Sequence, residues 1–261
     1  MQGPPQPAAD APPRWSWGDF AWSVVGGLIG ALVGGLVAGG LLLIDRMAAG
    51  GPLTLPTADQ LPALTVVLVL FFQNAGHLVA VALVGRRRRA RSKDLRLGVE
   101  PGDVAFVALG VVLQFAMALL FAPLLELFGQ EQSPQEVTGL IATARQPLVR
   151  AMVVLGVALL APLTEELLFR GLLLRTIEQR HGPRPALIGS AAVFSVFHLL
   201  GVTSAVGAMA VLAQTFLLGL VLGRLVQQRD RLGPAIFTHS GFNLVAVIVL
   251  MFFPEIAANG T

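Results

Sequence analysis

The sequence predicts an all-α membrane protein, a polytopic bundle of about seven transmembrane helices. Hydrophobic residues make up 55% of the chain and charged residues only 13%, whereas a soluble domain is about one quarter charged. Mean hydropathy is +0.75, and several apolar stretches reach the roughly 20 residues that cross a bilayer. Helix is the expected state of these stretches, because the hydrocarbon core offers no water to unpaired backbone groups.

The apolar stretches divide the chain into three parts. We expect residues 1–19 to form a disordered, proline-rich tail, residues 20–128 to form N-terminal membrane helices, and residues 149–253 to form a C-terminal core of helices. An additional half-buried segment at 137–144 is compatible with the pattern but is not required by it. The seven predicted spans are Phe20–Ile44, Leu61–Val84, Val104–Phe128, Val149–Leu174, Ala186–Leu200, Ala205–Leu222 and Leu232–Phe253.

The distribution of cations predicts a cytoplasmic N-terminus and an external C-terminus. With that orientation the inside segments hold most of the basic residues, and the outside segments hold only Arg46, Arg145 and Arg150, as the positive-inside rule requires. The pI near 10.8 therefore reflects membrane topology rather than nucleic-acid binding. The inside cations are Arg14, the cluster between Arg86 and Arg96, Arg175, Arg180, Arg184, Arg224, Arg229 and Arg231.

The basic cluster RRRRARSKDLR, residues 86–96, has two readings. It is typical of a topology determinant, and it is also compatible with a site for anionic lipid or a protein partner. The simpler reading is topology.

Two features of the first two spans indicate helix packing. The first span contains small residues at helical spacing, which let helices approach closely. The second contains polar side chains with no acid among them, for which we expect hydrogen bonding between helices. The small residues are Gly26, Gly30 and Gly34 on one face and Gly35 and Gly39 on another, and the polar residues are Gln73, Asn74 and His77.

The segment APLTEELLFRGLL places charges inside an apolar span. A charge near the bilayer centre costs about 2.5–3.5 kcal/mol on insertion scales, so it persists only with a partner or a function. Glu166 and Arg170 are four residues apart and can pair on one helix face. Glu165 points about 100° away from Glu166. It is left without a partner on its own helix and can act as a general base in an apolar cavity.

Two further motifs place polar groups in the core. His198 ends the segment FSVFH, and His239 and Asn243 share one face of the segment HSGFN. Each group alone is typical of structural hydrogen bonding. Together with Glu165, they predict one polar site in the inner half of the bilayer.

The order Glu-Glu-x-x-x-Arg, Phe-x-x-x-His and His-x-x-x-Asn over about 149–253 resembles the CPBP family. This family comprises type II CAAX prenyl endopeptidases and bacteriocin-processing intramembrane proteases, and is also called the abortive-infection family. The resemblance implies hydrolysis of a peptide bond in a membrane cavity that faces the cytoplasm. It also implies that Glu165 is the catalytic glutamate, that Glu166 and Arg170 support it, and that His198 is the histidine of the second motif. His239 and Asn243 match the third motif, which implies an oxyanion site.

The cofactor stays open at this point. Glu165, His198 and His239 form a ligand set that zinc accepts, with a fourth position left for water, and the family is widely named metalloprotease. No His-Glu-x-x-His motif is present, and a metal-free glutamate protease needs the same residues. The absence of cysteine and tyrosine excludes thiolate ligands and nucleophiles of either type.

The expected partners are a peptide or protein substrate, lipidated in some cases, and membrane lipids, with no nucleic acid. The high content of Ala, Gly, Arg and Pro favours a bacterial plasma membrane, where prenylated CAAX proteins are not expected. Two alternatives to a protease stay open. Intramembrane Glu, His and Asn also form transporter pathways, although no internal repeat is obvious. A scaffold that binds a peptide without cutting it would use the same polar cavity.

Overall fold

The computed structural model describes residues 14–50, 63–127, 146–202 and 204–252, and in these residues the chain is a bundle of seven apolar helices. The predicted all-α polytopic fold is confirmed, and the chain is a multi-pass membrane protein. Five helices are long and apolar enough to cross a membrane, while α5 and α7 are shorter apolar helices. The helices are α1 (Trp17–Ala48), α2 (Ala63–Arg88), α3 (Phe106–Leu127), α4 (Pro147–His181), α5 (Pro183–Phe197), α6 (Ala205–Arg229) and α7 (Gly233–Phe252).

The first helix begins earlier than the predicted span. The side chain of Ser16 accepts a hydrogen bond from the backbone of Asp19, and Asp19 bonds back to Ser16, which forms a capping box. Trp15 is fully buried, and its backbone N–H donates to Gln179 Oε1 at 2.9 Å. The last residues of the predicted tail, 1–19, are therefore anchored to α1 and α4. Residues 1–13 and the predicted segment at 137–144 lie outside the described residues.

Helices α1 and α2 pack closely through one stripe of glycines. A Cβ atom on Gly30 would collide with the carbonyl oxygen of Phe72, and a Cβ atom on Gly34 would lie 2.9 Å from Val69 Cα. By contrast, a Cβ atom on Gly35 would meet no other atom within 4 Å. The predicted close approach along Gly26, Gly30 and Gly34 is thus confirmed. The second predicted glycine face meets open space in the described part of the chain.

Ion pairs hold one end of the bundle together. Arg88 pairs with Asp19 at 2.8 Å and joins the end of α2 to the start of α1. Arg96 is 9% exposed and pairs with both Glu178 on α4 and Asp230 after α6. Part of the basic cluster at 86–96 therefore has a structural role, in addition to the topology role that the sequence predicts.

Helix α4 departs from regular α geometry on both sides of the Glu165–Glu166 pair. The segments Gly156–Leu160 and Leu167–Leu173 are π-helical, and the α-helical segment Ala161–Glu166 lies between them. A π turn changes the backbone hydrogen-bonding pattern and is frequent at functional sites. The Thr164 hydroxyl donates to Leu160 O at 2.8 Å, so a side chain supplies a partner at the first π segment.

The glycine stripe generates a test with a matched control on the same helix. We expect Gly30→Ala to lower the thermal midpoint of the purified protein, because overpacking of this kind costs about 1–3 kcal/mol. Gly35→Ala adds the same methyl group where space is open. We expect it to leave the midpoint unchanged or to raise it, because alanine favours helix by up to about 1 kcal/mol. Equal midpoints for the two variants, measured by thermal unfolding in detergent, would contradict this packing.

Candidate active site

Three helices bring a carboxylate and two imidazoles together. Glu165 lies in the centre of α4, His198 directly follows α5, and His239 lies in the first half of α7. Glu165 Oε2 is 3.7 Å from His239 Nε2 and 3.9 Å from His198 Nε2. The structure therefore unites residues from the three sequence motifs at one point.

The neighbouring carboxylate, Glu166, occupies a closed environment. Glu166 and Arg170 are both fully buried, and Arg170 Nη1 lies 2.9 Å from Glu166 Oε1. The same carboxylate oxygen is 3.0 Å from His239 Nδ1. Arg170 Nη2 also donates to the backbone oxygen of Gly219 on α6 at 3.2 Å. The predicted pairing of Glu166 and Arg170 is present, and it links α4 to α6 and α7.

Phe194 on α5 completes this arrangement and is a residue to which the sequence analysis assigned no role. The guanidinium carbon of Arg170 lies 4.4 Å from the centroid of the Phe194 ring, within the range of a cation–π contact. The same ring lies 4.4 Å from the His198 ring and 5.8 Å from the His239 ring. The spacing of four residues between Phe194 and His198 was the signal in the sequence, because it places both rings on one helix face.

Glu165 is partly exposed to a cavity, whereas Glu166 is buried. The side chains of Glu165 and His198 are each 29% exposed, whereas that of His239 is 2% exposed. Glu165 and His198 line a cavity of about 240 Å³ between α2, α4 and the end of α5. In the described residues, Glu165 Oε2 makes no hydrogen bond. Glu165 thus lines a cavity, whereas Glu166 is fully buried and is bonded through Oε1 to Arg170 and His239.

The three histidines inside the membrane helices are oriented in the same way. His198 Nδ1 lies 2.8 Å from Phe194 O, and His77 Nδ1 lies 2.8 Å from Ser23 O. A carbonyl oxygen only accepts, so Nδ1 donates in both cases. His239 Nδ1 likewise lies against a carboxylate oxygen of Glu166. Each neutral ring therefore has Nε2 as its acceptor, and in His198 and His239 that atom faces Glu165.

Asn243 lies one helical turn beyond His239 and contacts α4. Its Nδ2 donates to Val157 O at 3.0 Å, inside the first π segment. An asparagine amide carries two N–H donors, and this contact uses one of them. Its predicted place in an oxyanion site stays a prediction.

The donor set of the site suits zinc in type but is not arranged as a zinc site. Tetrahedral zinc holds its nitrogen and oxygen ligands at about 2.0–2.2 Å, which sets neighbouring donor atoms about 3.3–3.6 Å apart. The measured separations of 3.7 and 3.9 Å are wider. Within the described part of the chain, no group of three or more His, Asp or Glu side chains is placed to hold a metal ion.

The cavity also contains residues of α2 for which the sequence predicted only helix–helix hydrogen bonding. Gln73, Asn74 and His77 line it together with Glu165 and His198. His77 does bond to the backbone of α1, and Asn74 Nδ2 donates to Leu70 O on its own helix at 2.8 Å. The sequence signal for a polar wall was the presence of three polar side chains within five residues of an apolar span. Nothing in the sequence placed that span beside α4.

The buried pair generates a stability prediction. We expect Arg170→Ala to lower the folded yield and the thermal midpoint, because removing one partner of a buried pair costs about 3–5 kcal/mol. The double variant Glu166→Leu, Arg170→Leu should recover part of this loss, because no uncompensated buried charge remains. Yield can be measured by size-exclusion chromatography in detergent, with Arg180→Ala near the end of α4 as the control. A normal yield and midpoint for Arg170→Ala would show that Glu166 does not depend on this partner.

Comparison with protein families supports the resemblance drawn from the motifs. The family model for Type II CAAX prenyl endopeptidase Rce1-like matches residues 147–245, which include the whole site except its α2 wall. No curated protein and no solved structure matches the chain. The predicted recognition is confirmed by this match: residues 147–245 are similar to the type II CAAX prenyl endopeptidase Rce1-like family.

Proposed function

We propose that this protein is an intramembrane endopeptidase that hydrolyses a peptide bond with a water molecule activated by Glu165 and His198. One observation carries the proposal. A glutamate carboxylate with an oxygen that makes no hydrogen bond faces two imidazole nitrogens in a cavity inside the membrane bundle. The Rce1-like match supports a peptidase in general, and the geometry supports the specific roles below.

The proposed water binds beside Glu165 on the cavity side, where this side chain is 29% exposed. Glu165 Oε2 lies 3.7 and 3.9 Å from the two Nε2 atoms, which is beyond direct hydrogen-bond range, so the three groups surround one point without bonding to one another directly. Glu165 takes a proton from this water as general base, and His198 Nε2 accepts the second O–H and orients the oxygen. The water oxygen then attacks the scissile carbonyl.

The tetrahedral intermediate needs donors for its oxyanion. His239 can donate from Nε2 when both ring nitrogens carry a proton, with Nδ1 held against the Glu166 carboxylate. The second N–H of Asn243 is the other proposed donor. The proton on Glu165 then passes to the leaving amine, which completes hydrolysis without any net change in the enzyme.

The Glu166–Arg170 pair fixes the charge balance of the site. Arg170 neutralises Glu166 at 2.9 Å and lies within the bundle, so the second carboxylate does not compete with Glu165 for the proton of the water. Glu166 in turn holds His239 by its Nδ1 atom. We assign both residues a positioning role rather than a role in contact with the substrate.

Zinc is the proposed cofactor only in the metalloprotease version of this mechanism. Glu165, His198 and His239 would hold it, and the metal would supply Lewis-acid activation of water. The steps above are derived from the side chains alone, because the present spacing of these residues is wider than a zinc site requires. The predicted ligand set therefore stays a prediction.

The proposed substrate is a peptide or protein that reaches the cavity from the membrane, lipidated or not. The cavity includes Leu70, Leu168, Phe169, Phe197 and Leu200, which suits apolar side chains or a lipid chain. Membrane lipids are expected partners and nucleic acid is not. We place the protein in a bacterial plasma membrane, with the cavity facing the cytoplasm, on the basis of its composition and its arginine distribution.

The role of Glu165 has a direct test. We expect Glu165→Gln to lower the rate of peptide cleavage by about 10²–10⁴-fold, which is the usual contribution of a general base. Purified wild type and variant in nanodiscs would receive a mixed peptide library, with and without lipidated members, and mass spectrometry would identify the products. The matched control is Glu126→Gln, the same substitution on the exposed surface of α3. Equal product yields from wild type and Glu165→Gln would contradict the assignment.

Removal of metal separates the two versions of the mechanism. We expect cleavage by wild type to survive prolonged dialysis against a strong chelator, because Glu165 and the histidines supply base and donors by themselves. The measurement is the initial rate before and after dialysis, and after addition of Zn²⁺, with total metal quantified by mass spectrometry. Activity that disappears with chelator and returns with Zn²⁺ would replace this mechanism with the metal-dependent one.

A further inference from the structure

The α2 side of the cavity contains a polar side chain without a partner. Gln73 lines the same cavity as Glu165 and His198, and in the described part of the chain its side chain makes no hydrogen bond. Its neighbour Asn74 differs, because it is 4% exposed and donates to the backbone of its own helix. The side chain of Gln73 is half-buried on this wall.

The Gln73 amide is half-buried and lines the cavity, so it is open to a ligand there. A primary amide offers both a C=O acceptor and N–H donors. This is the complement of one peptide group, which presents one N–H and one C=O.

His77 lies one turn from Gln73 and lines the same cavity. Its Nδ1–H is committed to Ser23 O at 2.8 Å, so the neutral ring offers Nε2 as an acceptor for an N–H donor. The ring packs against Gly27 of α1, where a Cβ atom would collide with it. The missing side chain at residue 27 therefore makes room for the imidazole.

We propose that Gln73, assisted by His77, binds the main chain of an extended peptide in this cavity, opposite the Glu165 carboxylate. The proposal rests on the proposed protease function and assigns its binding wall. Gln73 pairs with one peptide group of the substrate through its amide, and His77 Nε2 accepts a second N–H. The catalytic wall comes from α4, α5 and α7, and the binding wall comes from α2.

The membrane environment determines which groups of a bound peptide need hydrogen-bond partners from the protein. A peptide must be unwound for its scissile carbonyl to be attacked, and its N–H and C=O groups then lose their helical partners. In a membrane such groups cost several kcal/mol each unless protein groups satisfy them. The apolar lining, which includes Phe169 and Phe197, accepts the side chains, whereas Gln73 and His77 satisfy the main chain. This arrangement favours peptides of apolar sequence and does not select one particular side chain.

The test combines a protein variant with a change in the peptide backbone. The probes are dansylated decapeptides rich in Leu, Ala and Phe, and the same peptides with single N-methyl groups that remove one N–H each. Binding to the Glu165→Gln protein in nanodiscs is measured by fluorescence anisotropy against empty nanodiscs. We expect Gln73→Leu to weaken binding by about 3–10-fold, the loss of one or two hydrogen bonds, and Gln73→Asn to recover part of it.

The matched control is Gln114→Leu, the same substitution on α3 at a position that does not line the cavity. It should leave binding unchanged. One N-methyl position should weaken binding to the parent protein as much as Gln73→Leu does, and should have no further effect on the Gln73→Leu protein. A residue that only supports the fold would show no such dependence on the peptide. In the cleaving enzyme, Gln73→Leu should raise KM and leave kcat nearly unchanged.

Three results would overturn the inference: no saturable binding of any probe, equal binding by the parent and Gln73→Leu proteins, or additive losses at every N-methyl position. Failure of the protease proposal looks different. In that case peptides bind, and Gln73→Leu weakens them in the predicted way, but the protein with Glu165 intact releases no products.

Discussion

The buried contact between Glu166 and Arg170 is the constraint on which the rest of the core depends. Two full charges lie in a bundle where neither side chain reaches solvent, so each is tolerable only while the other is in place. The other contacts of the pair extend to three neighbouring helices. Arg170 reaches Gly219 on α6 and the Phe194 ring on α5, and Glu166 reaches His239 on α7. The Glu166–Arg170 pair and its contacts therefore join the three motif helices and α6 in the core, alongside their apolar packing.

This constraint explains how two consecutive glutamates acquire different properties. Successive residues on an α-helix point about 100° apart, so Glu166 enters the interior while Glu165 faces the cavity. Arg170 pairs with Glu166, which leaves Glu165 as the carboxylate on the cavity side. His239 lies between the two, because its Nδ1 contacts Glu166 and its Nε2 faces Glu165.

Helical spacing made much of this predictable from the sequence. The seven apolar spans, the pairing of Glu166 with Arg170 and the outward direction of Glu165 all depend on local periodicity, which a single segment carries. The meeting of Glu165, His198 and His239 was inferred from the cost of polar groups in a membrane rather than from any local signal. Asn243 illustrates the limit. Its contact with Val157 depends on a π segment of α4, and no residue pattern in α4 predicts that change of backbone geometry.

The same limit applies to the first two helices, for which the sequence predicted helix packing but no position beside Glu165. The position of α2 in the bundle depends on close packing along the Gly30 stripe, where a Cβ atom would also lie 3.1 Å from Gln73 Cα. Gln73 and His77 of α2 both line the cavity, and His77 also contacts α1 at Ser23 and Gly27. The packing of α1 against α2 therefore contributes to the position of these polar side chains. The Rce1-like region supplies one wall of the cavity, and the packing of α1 against α2 supplies the other.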